Sequence, residues 1–189
     1  SGDRFFTAFL RIEMDLAERY KSVIEWFETN MPLAVSELSY ESPFQLLVAV
    51  ILSAQCTDKR VNLVTKELFK KYPSPESLAS ATPEEVFRYI SSVTYPNSKS
   101  KHLVNMSKMI VERFDSKVPS DPLLLQELPG VGRKTANVVA SIIYNKPVMA
   151  VDTHVFRISE RLGLTTNSKN PLETELELTK HIPKKTIPK

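Results

Sequence analysis

Five prolines in this chain stand directly after residues that cap helices: Ser42-Pro43, Ser74-Pro75, Thr82-Pro83, Asp121-Pro122 and Asn170-Pro171. Proline suits the first helical position, where its missing N–H would lack a partner anyway, and the preceding side chain accepts from the amides that follow. Each pair therefore marks the start of a helix. Ser42 with Gln45 and Thr82 with Glu85 have the spacing of a capping box, and Asp58 and Asn97 are expected to cap without a proline. No stretch alternates with period two; apolar residues recur at three- and four-residue spacing. In 10–28, Leu10, Met14, Ala17, Ile24 and Phe27 fall near one face. Segment 44–55 is apolar on all sides and reads as a central buried helix. Segments 58–71, 83–92, 98–114, 132–145, 153–162 and 172–182 read as amphipathic helices. The expectation is an all-α fold.

At 189 residues the chain makes one domain or two small ones, and 42% hydrophobic with 25% charged residues excludes a disordered or fibrous chain. The longest apolar run, Leu46 to Leu52, is far shorter than the roughly 20 residues a membrane span needs, and the opening lacks a secretory leader pattern. No membrane partner is expected. A single cysteine, Cys56, excludes a disulfide framework or a site of several thiolates within these residues, and reads as a small buried hydrophobe. Charge is uneven. Residues 1–45 hold eight acids against four bases, and the remainder fourteen acids against twenty-one bases. A basic remainder suits a polyanionic partner such as nucleic acid, although lysines solvating exposed helix faces would give the same balance.

Only four glycines are present, and two of them lie in Leu128-Pro129-Gly130-Val131-Gly132-Arg133-Lys134-Thr135-Ala136-Asn137. Pro129 ends any helix reaching Glu127. Gly130 and Gly132 permit positive φ and close backbone approach, and the next helix begins with its free N–H groups exposed. Amides on such a turn at a helix start make a site for one phosphate, with Arg133 adding charge. A contact of this kind reads the nucleic-acid backbone and carries no sequence information. The alternative is a plain helix-to-helix turn with glycine as C-cap.

The string LPGVGRKTANVV resembles the helix-hairpin-helix of endonuclease III-type DNA glycosylases. Eighteen residues after Lys134 begins the run Asp152-Thr153-His154-Val155-Phe156-Arg157, similar to that family's catalytic aspartate segment. Ser42-Pro43-Phe44, Leu52-Ser53-Ala54-Gln55, Thr57-Asp58 and Asn97-Ser98-Lys99 resemble its first barrel helix, the following turn and a further loop. The match runs in order from about Tyr20 to Pro183. It implies a helix-hairpin-helix glycosylase fold of two lobes, a six-helix barrel over 36–146 and a discontinuous lobe of 1–35 with 147–189, the substrate nucleotide entering between them.

The resemblance further implies base-excision repair of duplex DNA carrying an oxidised pyrimidine or an abasic site. Lys134 would attack the sugar C1′, form a Schiff base and permit β-elimination of the 3′ phosphate. Its amine must be neutral to attack, and the helix N-terminus, Arg133 and partial burial would each disfavour its charge. Asp152 would cap the next helix and also stabilise positive charge developing on the sugar. Gly130, Val131, Gly132, Arg133, Thr135, Gln55, Tyr95, Asn97, Lys99 and His154 are the expected DNA-binding residues. Gln55 would fill part of the gap left by an extruded nucleotide, and the 93–97 loop would supply a wedge. The family often carries leucine in that loop, and here Tyr95 would stack instead. His154 is expected near the site and not as a metal ligand. Relatives that remove adenine carry an acid in the buried helix, whereas Phe44 to Gln55 contains none. The alternatives are a non-catalytic DNA-binding module or an inactive fragment.

Most such proteins hold a 4Fe-4S cluster on four cysteines beyond the position of Lys189. This chain is therefore expected to carry no cofactor or metal itself, and to be a truncated form of a cluster-binding parent whose 10–28 helix has lost apolar cover. A monomer in the bacterial cytoplasm is expected.

Overall fold

All five proline-led pairs start helices. In a computed structural model, which describes residues 14–31, 36–184 and 186–187, Ser42, Ser74, Thr82, Asp121 and Asn170 are N-caps whose side chains accept from backbone amides, with proline next in each helix. The described residues form α1 (Leu16–Asn30), α2 (Pro43–Ser53), α3 (Asp58–Lys71), α4 (Pro75–Ala79), α5 (Pro83–Ile90), α6 (Pro96–Phe114), α7 (Pro122–Gln126), α8 (Arg133–Tyr144), α9 (Thr153–Arg161) and α10 (Pro171–His181), with no strand among them.

The capping details depart from expectation in three places. Thr57 caps α3 through its hydroxyl, so Asp58 is the first helical residue and not the cap. Asn97 likewise lies inside α6, which starts one residue earlier at Pro96 behind Tyr95, a cap in left-handed conformation with no side-chain bond. At α2 the reciprocal bond of the expected capping box goes elsewhere: Gln45 Oε1 accepts from the Glu41 N–H. Capping boxes do close at Thr82–Glu85, and also at Asp15–Glu18 and Ser74–Ser77.

The chain divides into two compact units, Ser36–Tyr144 and a discontinuous unit of Ser1–Val35 with Asn145–Lys189. In the first, α2 is the central element. Every residue from Phe44 to Leu52 is buried, and the helix packs against α3, α6 and α8. Burial of so many leucines, valines and an isoleucine, each about 1.5–3 kcal/mol, makes α2 the main hydrophobic anchor of this unit. Helices α4 and α5 pack on α6, and α7 on α8.

The second unit has its own core of Tyr20, Val151, Leu164 and Leu178, flanked by Leu16, Val23, Phe156 and Leu162. The inward face of α1 is therefore Leu16, Tyr20 and Val23, and not the expected Ala17 and Phe27, which are exposed. Tyr20 overrides the simpler pattern because its hydroxyl donates to the Leu164 carbonyl at 2.7 Å while its ring fills the core. Leu10 lies outside the described residues. No described helix is long and apolar enough to cross a membrane.

Candidate nucleic-acid interface

The hairpin is built from α7, the turn 127–132 and α8. Leu128 and Val131 are buried and anchor the turn from inside. The Val131 N–H donates to the Leu128 carbonyl at 3.0 Å. Val131 thus has neither side chain nor N–H to offer DNA, which corrects its expected place among the binding residues. Gly130 adopts φ +81°, and it lies so close to α6 that a Cβ would stand 2.9 Å from His102 Cβ. Gly132 is different. Its φ is not in the left-handed region, open space surrounds the position a Cβ would take, and its carbonyl accepts the first bond of α8 from the Ala136 N–H at 2.9 Å. Positive φ, expected at both glycines, is used at Gly130 alone.

Arg133 and Lys134 follow in the first turn of α8, both exposed, with Thr135 half-buried behind them. Lys134 thus stands exposed at a helix N-terminus beside a second cation, Arg133.

A second group of expected residues sits on two neighbouring loops of the same unit. Gln55 follows α2 and Tyr95 precedes α6; both are exposed, and both take φ 55°. Left-handed backbone disfavours residues other than glycine, so two such positions need holding by their surroundings. The holding bonds are present. Thr94 Oγ1 donates to the Gln55 carbonyl at 2.6 Å, and Lys99 Nζ donates to the carbonyls of Leu52 and Ala54 at 2.8 Å each.

Lys99 is only 6% exposed. Its ammonium is buried and spent on main-chain carbonyls, which corrects its expected role as a direct DNA contact. Burial pushes its pKa below the ordinary lysine value, with the Cys56 thiol acting weakly the other way. Lysine on the last carbonyls of α2 also complements the negative end of that helix. Asn97 is exposed in the first turn of α6.

In the discontinuous unit, Asp152 is the N-cap of α9. Its Oδ1 accepts from both the His154 and Val155 amides, at 2.9 and 3.0 Å, so the capping half of its expected role is realised. The His154 side chain is exposed. Sequence reasoning missed Thr94 and His102. Neither carries a local signal, because each matters through a neighbour distant in sequence.

Among the described residues no group of three or more His, Cys, Asp or Glu could hold a metal ion. An iron–sulfur cluster does not fit the residues present either. Cys56 is the single cysteine, one thiolate where four are needed, and it is half-exposed on the Gln55 turn instead of buried as expected.

A two-unit helical fold with a glycine hairpin opening onto a lysine-bearing helix defines a class. Residues 48–184 match the HhH-GPD superfamily of base excision DNA repair proteins. The chain is 48% identical over 153 residues to endonuclease III of Bacillus subtilis (strain 168), covering 81% of this chain and 70% of that protein. It is 38% identical over 170 residues to endonuclease III of Escherichia coli (strain K12), covering 90% and 80%. A solved structure of a trapped covalent endonuclease III–DNA intermediate superposes with a TM-score of 0.87 at 40% identity, covering 93% of this chain and 82% of that one. The chain belongs to the endonuclease III family of base-excision-repair DNA glycosylases with AP lyase activity.

Proposed function

We propose that this chain removes oxidised pyrimidines from duplex DNA and cleaves the strand at the resulting abasic site, with Lys134 as nucleophile and Asp152 as its acidic partner. The reading is carried by the exposed lysine in the first turn of α8, two residues beyond a glycine whose surroundings are open. The Lys134 amine attacks C1′, the damaged base departs with a proton, and the sugar ring opens to an iminium on Nζ. Loss of a C2′ proton then expels the 3′ phosphate, and water releases the lysine. The Gly132 turn and Arg133 hold a neighbouring phosphate, while Gln55 and Tyr95 occupy the space left by the extruded nucleotide.

Borohydride reduction of the chain mixed with abasic duplex tests this. Wild type is expected to yield a covalent protein–DNA adduct and Lys134→Ala none, with equal melting temperatures. A folded wild type that binds the duplex without forming an adduct would make the hairpin a binding module only.

A further inference from the structure

Lys99 links the two exposed loops from beneath. Its N–H closes the first turn of α6 by donating to the Tyr95 carbonyl at 3.1 Å. Its side chain crosses to the end of α2 and donates to Leu52 and Ala54, the residues leading into Gln55. One residue thus fixes the backbone behind both exposed tips. Thr94 adds the direct tie, hydroxyl to Gln55 carbonyl.

We propose that Lys99 and Thr94 are positioning residues that clamp Gln55 and Tyr95 into a single rigid wedge, and that this clamp gives the protein its preference for duplex with a disrupted base pair. The proposal rests on the DNA-binding part of the function above, and not on the lysine chemistry. The physical ground is preorganisation. A loop held beforehand in its bound conformation loses less freedom on binding, and here two backbone positions that would relax out of left-handed geometry are held by three bonds. Intact duplex offers no gap for the wedge, so its affinity is set by phosphate contacts at the hairpin. A duplex with a missing base admits the wedge, and only there does the clamp matter.

The test uses the whole chain and two duplexes differing by one tetrahydrofuran abasic-site analogue, with affinities read by fluorescence anisotropy at one salt concentration. Lys99→Met removes the ammonium at similar length, Thr94→Val removes the hydroxyl, and Thr94→Ser restores it. Thr94→Val is expected to lose about tenfold in affinity for the tetrahydrofuran duplex, the size of one lost hydrogen bond's contribution, and Lys99→Met, which removes two, at least as much, while both keep that for intact duplex. Thr94→Ser is expected to match wild type. Should Lys99→Met melt early, the Thr94 pair carries the test alone. Affinities for both duplexes falling together, or the wild-type preference surviving Thr94→Val, would overturn the clamp. Because no step requires Lys134, a failed borohydride trap leaves this result standing on its own.

Discussion

Alanine at Gly130 should damage the fold, and alanine at Gly132 should leave the fold intact while weakening DNA binding. At Gly130 two penalties add. The residue sits at φ +81°, where an L side chain costs about 1–2 kcal/mol. The new Cβ would also stand 2.9 Å from His102 Cβ, 3.1 Å from Cγ and 3.2 Å from Nδ1. These atoms are the stem of the histidine, fixed to α6, so relief requires moving the turn or the helix; overpacking of this kind costs about 1–3 kcal/mol more. The expected loss is about 2–5 kcal/mol, read from urea or thermal unfolding.

At Gly132 no atom lies within 4 Å of the position a Cβ would take, and no positive φ is required. Stability should hold or rise by up to about 1 kcal/mol, because alanine narrows the unfolded ensemble. The methyl would project where a phosphate must approach the turn. Losing a hydrogen bond to a charged group is worth about 1.5–3 kcal/mol, roughly ten- to a hundredfold in Kd. The loss should be equal on damaged and intact duplexes, since a phosphate contact reads no base. Anisotropy titrations of both duplexes against both variants decide it. Gly132→Ala binding like wild type, or Gly130→Ala melting like wild type, would refute the division of labour between the two glycines.

Three further outcomes follow from the same geometry. Asp152→Asn keeps an N-cap side chain on α9, so melting should hardly change while glycosylase and lyase rates fall by about 10²–10⁴; Asp152→Ala should also lose about 1 kcal/mol of stability. Burial, with Glu177 adding to it, pushes the Tyr20 hydroxyl from 10.0 up to about 12. The folded state therefore keeps a proton that the unfolded chain releases between these values. Folding stability should be insensitive to this group below pH 10 and fall as pH rises from 10 towards 12, and that fall should be smaller in Tyr20→Phe, read from unfolding free energy against pH. Leu47→Ala, at a fully buried position of α2, should cost about 2–5 kcal/mol in chemical unfolding without altering the intact-duplex affinity of the remaining folded protein.

The sequence made the helices legible because their start signals are local. A cap and the amide it serves are three residues apart, so Ser42, Thr82 and Asn170 could be read without knowing where the chain went next. The sixth proline start was missed because Tyr95 is no capping residue. Its left-handed backbone supplies the turn, and only neighbours such as Thr94 explain how that is tolerated. The inward face of α1 was misread for a similar reason: the partner of Tyr20 is the Leu164 carbonyl, 144 residues away. The turn was legible because Pro129 and Gly130 act there through backbone geometry written in consecutive letters.

Lys99 marks where this way of reading stops. In the sequence it stands in a run of polar residues at the start of a helix, and a lysine there beside a DNA-binding loop invites assignment to a phosphate. Burial decides otherwise, because an ammonium removed from water must find acceptors nearby, and the carbonyls ending α2 lie 45 and 47 residues back in the chain. The same physics that turns Lys99 away from a phosphate places it under the two loops proposed above to enter DNA. On the clamp proposal, its influence on DNA is carried by the shape it imposes on Gln55 and Tyr95. A lysine contacting phosphate would weaken binding to every duplex when removed and would reduce the salt dependence. A lysine shaping the wedge would change only the preference for a gap, and so the two roles separate in a measurement on two duplexes.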